Sequence, residues 1–203
     1  MQSPESSYHH GDLRHALLGA AARVVAEQGV AGLSLRAVAR RAGVSHAAPA
    51  HHFADKAALL GALVAEGHQE LARSIERSLE SVGGDPQARL AALARGFFRF
   101  CTRRPDLFRV MFRPELVERT DPILQASAAA VERLLAGIVG ECVETGTLEP
   151  ARAEVFELGA WALVHGLAAD WLEGDAARRK AIRRSYQATV ELFVGAALGG
   201  LSH

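Results

Sequence analysis

The stretch SLRAVARRAGVSHAAPAHHF, Ser34 to Phe53, decides the fold. Its small and apolar positions suit two short helices that cross closely. Leu35, Val38 and Ala42 form one inward face, and Ala39 is small where a second helix must approach. Gly43 can take the positive φ of a sharp turn, and Val44 is placed to bury that turn. Ser34 and Ser45 stand where N-caps would begin each helix. The sum is a helix-turn-helix, whose second helix would enter the major groove of DNA. An αα-hairpin that merely packs fits the same spacing.

Charge separates these alternatives. The 203 residues carry 23 basic and 23 acidic side chains, and a net charge of zero argues at first against a polyanionic partner. Residues 1–56 hold six basic residues (Arg14, Arg23, Arg36, Arg40, Arg41, Lys56) against four acidic ones, so the remainder is correspondingly acidic. Six of the nine histidines, His9, His10, His15, His46, His51 and His52, also fall in this first part and add donors near a polyanion. The local balance favours DNA.

Other classes find little support. No nucleophile–base pair, phosphate loop or spaced carboxylate pair points to an enzyme, and no cofactor is expected. Cys101 and Cys142 lack a C-x-x-C partner and read as small core residues. His9, His10, His51 and His52 offer nitrogen ligands, but adjacent histidines point in different directions, so no metal site is expected. No uninterrupted apolar stretch approaches the roughly 18 to 20 residues that span a bilayer, and MQSPESSYHHGDLR lacks a basic segment followed by an apolar one. A cytoplasmic protein without membrane contact is the expectation.

Helical periodicity runs throughout, so the predicted class is all-α. Residues 1–10 read as a flexible arm, and Asp12 opens a helix with the stripe Leu17, Ala20, Ala21, Val24 and Val25, closing at Gln28-Gly29. Helices are predicted over Ser34–Ala42 and Ser45–Phe53. Asp55 then caps a long helix to about Ser81, through Leu60, Val64, Gly67, Leu71, Ile75 and Leu79. Further helices are predicted over roughly 85–103, 105–112, 122–145, 151–173 and 175–198, with Pro86, Pro105, Pro122 and Pro150 near their starts.

The segment YHHGDLRHALLGAAARVVAEQGVAGLSLRAVARRAGVSHAAPAHHFADKAALL resembles the DNA-binding domain of TetR-type (tetracycline-repressor-like) regulators. AGVS at the turn, HF closing the second helix and D-K opening the long one match together. The resemblance implies a DNA-binding domain over 11–71 and a ligand-binding and dimerisation domain over 72–203. It also implies a homodimeric repressor that leaves a palindromic operator when a small apolar or amphipathic molecule binds. An alternative is a DNA-binding dimer that senses no ligand.

Carried onto this chain, the resemblance gives Ser45 a capping and phosphate role and puts His46 and Ala47 against base edges. Arg36, following Ser34, becomes a reader or phosphate clamp, and Lys56 shares a phosphate with the start of the long helix. Two DNA-facing positions depart from the family pattern: Ala50 replaces a frequent tyrosine, and His51 a frequent arginine beside His52. The adjacent histidines lead us to expect pH-dependent operator affinity. Pro49 removes one backbone donor early in its helix and reads as an inward-packing residue.

In the C-terminal part, FFRFCTRRPDLFRVMF and AWALVHGLA resemble a subgroup with Trp, His and Gly in the second motif, here Trp161, His165 and Gly166. Phe97, Phe100, Cys101, Phe108 and Met111, with Trp161 and His165, are candidate effector contacts, although ordinary core packing is the favoured reading for most of them. The last two helices carry more apolar surface than a terminal hairpin should expose, through Phe156, Leu158, Trp161, Leu167 and Trp171, then Val190, Phe193 and Val194. Family resemblance makes them a four-helix dimer interface, with Gly159, Gly166 and Ala168 where helices approach.

Overall fold

A computed structural model describes residues 5–112 and 121–199, with side chains described from Leu13 onward. Eight α-helices and no strand occur among the described residues, so the chain is all-α. They are α1 Glu5–Gln28, α2 Leu35–Ala42, α3 Lys56–Leu79, α4 Pro86–Arg103, α5 Pro105–Met111, α6 Pro122–Glu144, α7 Ala153–Glu173 and α8 Ala176–Leu198. The helix predicted to open at Asp12 starts at Glu5, so Glu5 to His10 are helical. The apolar stripe that betrays α1 begins only at Leu17, which leaves its polar first turns invisible to periodicity.

Side-chain caps set several of the starts. Ser34 Oγ accepts from Ala37 N–H at 3.1 Å, and Gly43 closes α2 at φ 72°. Asp55 Oδ1 accepts from Ala58 N–H at 2.8 Å ahead of α3. Asp85 and Asp175 do the same for α4 and α8.

The helices form two compact units, divided inside α3 after Gly67 and inside α6 after Ser127. Among the described residues, the first holds 5–67, 105–112 and 121–127. Leu17, Val38, Leu59, Leu63 and Leu107 lie at its centre, each fully buried. Met111 lies against Gly67: a Cβ there would come within 2.5 Å of the Met111 sulfur, so that flexible side chain would have to shift. His15 Nδ1 of α1 lies 3.4 Å from Glu66 of α3.

The second unit holds His68–Arg104 and residues 128–199. Here α4 crosses α3 so closely that a Cβ at Gly96 would fall 2.6 Å from the Ile75 backbone, and Ser74 Oγ donates to the Gly96 carbonyl at 2.8 Å. That bond satisfies a buried hydroxyl at the contact that excludes a side chain. On its other side α4 meets α8, where Tyr186 donates to the Ala94 carbonyl at 2.9 Å and its ring stacks on Phe98 at 4.1 Å. Cys101 Sγ reaches the Ala168 carbonyl of α7 at 3.6 Å, and both cysteines are buried. Gly159 receives the Phe193 ring, 3.2 Å from where a Cβ would be, and at Gly166 a Cβ would meet nothing of this chain within 4 Å.

One helix passes on length and overall composition where no uninterrupted apolar run does. The 23-residue α6 is long and apolar enough to cross a membrane. Glu132 and Arg133 interrupt its apolar run at the middle, where a bilayer makes charge costly; Leu124, Val131, Ile138, Val139 and Cys142 are its buried positions, and the others are exposed or half-buried.

Candidate nucleic-acid interface

The predicted helix Ser45–Phe53 is a turn followed by a 3-10 helix over Ala48–His51. Pro49 explains the change. An α-helix would need its missing N–H to donate to the Ser45 carbonyl. The chain closes i to i+3 instead: Ala48 N–H to Ser45 O at 3.1 Å, Ala50 N–H to Ala47 O at 3.1 Å, His52 N–H to Pro49 O at 3.0 Å. Ser45 makes no side-chain cap; Ala47 occupies the cap position of the 3-10 turn without one.

Burial nevertheless sorts this segment cleanly. Pro49 and Phe53 are buried and anchor it, while Ser45, His46, Ala47, Ala50 and His51 are exposed and His52 is half-buried. Arg36 on α2 is exposed, and Val44 only half covers the turn. Lys56 is exposed too, but its ammonium already donates to the Val30 carbonyl at 3.0 Å, which leaves two of its three protons for a phosphate. Arg41 is tied to Glu27 by an ion pair. Sequence reasoning missed one neighbour: Arg14 of α1 carries its guanidinium 5.5 Å from the Phe53 ring centroid. Nothing in sequence spacing brings positions 14 and 53 together.

The candidate effector residues divide between the units. Phe108 and Met111 belong to the first, where Phe108 contacts the Phe112 ring at 4.5 Å. In the second, Phe97 meets Trp161 edge-on at 5.6 Å, and Trp161 stacks on His165 at 5.7 Å. Burial lowers the His165 pKa from its ordinary value, which keeps the imidazole neutral near pH 7. Phe97, Phe100, Cys101 and Phe108 are at most 3% exposed.

A surface of opposite character lies on the last two helices. Val155, Leu158 and Leu192 are 73%, 69% and 75% exposed, and Trp161 is 38% exposed. Phe156, Val190 and Val194, expected on the same apolar arcs, are buried inward.

A capped α2, a positive-φ glycine turn and an exposed polar segment on buried anchors define a helix-turn-helix DNA-binding protein. Residues 17–63 match the family described as bacterial regulatory proteins, tetR family, and residues 90–193 match its tetracyclin repressor-like C-terminal domain. The chain therefore belongs to the TetR family, and it is a DNA-binding transcriptional regulator rather than an enzyme. Among similar proteins, the HTH-type transcriptional regulator BetI of Stenotrophomonas maltophilia is 28% identical over 170 residues, covering 79% of this chain and 80% of that protein. A Rhodococcus protein of unknown function is 34% identical with a TM-score of 0.76, covering 97% of this chain and 100% of that one. FadR of Bacillus subtilis, solved with stearoyl-CoA, shares the fold at TM-score 0.71 and 17% identity, covering 89% of this chain and 97% of that one.

Proposed function

We propose that the protein is a homodimeric repressor whose two copies pair through α7 and α8 and bind a palindromic operator. The observation that carries this reading is the exposed stripe of Val155, Leu158, Trp161 and Leu192. A solitary chain has no reason to keep three large aliphatic side chains that exposed on regular helices. Two copies burying the stripe would form a four-helix interface, and the open space over Gly166 suits a partner helix. Residues 11–71 would bind DNA and 72–203 would dimerise and sense. On the DNA side, Ser34, Arg36, Ser45 and Lys56 would contact phosphates, and His46, Ala47, Ala50, His51 and His52 would face the groove.

An effector would act by favouring the dimer form with misplaced recognition segments, to the extent of its differential affinity for that form. The stearoyl-CoA bound by the FadR neighbour supports a small amphipathic molecule. The burial of Phe97, Phe100 and Cys101 favours a second reading, a DNA-binding dimer with a closed core in the second unit. A thermal-shift series with acyl-CoA chains separates the two, since a bound effector raises the melting temperature with concentration. Selection of fragments from random DNA by the purified protein tests the main reading. An inverted repeat is expected, and failure to enrich one at both low and moderate salt overturns it.

A further inference from the structure

We infer that Arg14 is a DNA-phosphate contact that Phe53 holds beside the recognition segment; this rests on the operator-binding reading above. Two cations of the first unit are already engaged. Arg41 is paired with Glu27, and Lys56 donates to the Val30 carbonyl. Arg14 is exposed and makes no hydrogen bond or ion pair among the described residues, so its five N–H groups are uncommitted.

Its position is nonetheless fixed. The guanidinium lies 5.5 Å from the Phe53 ring centroid, within the range of a cation–π contact. Phe53 is 3% exposed and follows His52, so the ring that holds the cation also ends the DNA-facing segment. A long cationic side chain ordinarily loses rotamer freedom when it grips a phosphate. Resting on a ring restricts Arg14 beforehand and leaves the planar donor fork for bidentate contact with phosphate oxygens.

The placement also offsets two departures of the recognition segment. Ala50 has no hydroxyl for the backbone, and His51 lacks the permanent charge of an arginine. Arg14 brings a permanent charge to the same neighbourhood from a different helix. Arg23, also exposed on α1, has no such ring contact and serves as the control.

The test uses the full-length protein and the sequence it enriches from random DNA, with Kd measured between about 50 and 200 mM salt, the range over which counterion release is read. Arg14→Gln should weaken binding to every enriched sequence about equally, by roughly tenfold or more for a dimer, and lower the log–log salt slope by about two, one per copy. Arg14→Lys should keep the slope and lose part of the affinity, because charge survives and the fork does not. Arg23→Gln should leave both unchanged. A slope unaltered in Arg14→Gln, while the parent binds its operator, overturns the inference. An Arg14→Lys slope as low as that of Arg14→Gln overturns it too, since a packing role would not follow charge. If the parent protein enriches no sequence, the operator reading itself fails.

Discussion

The recognition segment and the stripe on α7 and α8 are both exposed, for opposite reasons. Ser45 to His52 is polar and irregular, held from beneath by Pro49 and Phe53. The stripe is apolar and sits on two regular helices, its outward Leu158 and Leu192 backed by buried Phe156, Val190 and Val194. In the first region the anchors carry stability, so outward side chains can change with little effect on folding. In the second the outward side chains are themselves unfavourable in water, by roughly 1.5–3 kcal/mol for each large one left uncovered. One surface is therefore free to specify a ligand, and the other demands a cover.

The comparison breaks most visibly at the stripe. Replacing Leu158 and Leu192 together by Glu should yield a folded monomer in sedimentation equilibrium and weaken operator binding by about a hundredfold or more through lost bivalency. A double variant that stays dimeric would remove α7 and α8 from the interface. Next comes the anchor: Phe53→Ala should cost about 3–5 kcal/mol in denaturant unfolding, because a buried ring is lost. Ser34→Ala should cost about 1 kcal/mol by leaving the Ala37 N–H without its cap. Pro49→Ala restores a donor facing the Ser45 carbonyl and should change stability by no more than about 1 kcal/mol in either direction. Amide exchange at position 49 then reports whether the segment winds into an α-helix.

The smallest effect is one of pH. Burial lowers the pKa of both His68 and His165, so below their ordinary value the unfolded chain binds protons that the folded chain resists. Stability is therefore full above about pH 7 and declines as pH falls through the ordinary histidine value near 6.5. A melting temperature that falls from pH 7 to pH 5, and falls less in His165→Gln, is the expected result.

Much of this architecture was legible beforehand. The period of Leu60, Val64, Leu71 and Ile75 announced α3, and Ser34 with Gly43 announced both ends of α2. What stayed hidden had local causes. Pro49 was visible, but its consequence depended on which carbonyl lacked a donor, and a helix was expected where a 3-10 turn forms. The apolar content of α7 and α8 was plain, yet periodicity alone did not sort inward Phe156 from outward Val155 and Leu192. Arg14 meets Phe53, and Lys56 meets Val30, only because the chain folds back, and no sequence spacing encodes that.

The placement of the two tryptophans gives the protein a built-in optical division. Trp161 and Trp171 both sit on α7 in the second unit, so intrinsic tryptophan emission carries no signal originating in the first. Trp161 lies at the edge of the uncovered stripe, whereas Trp171 is flanked by the guanidinium groups of Arg179 and Arg183 at 5.4 and 5.9 Å. Dilution that separates two copies should therefore shift the emission of one indole and leave the other as an internal reference, without any attached dye.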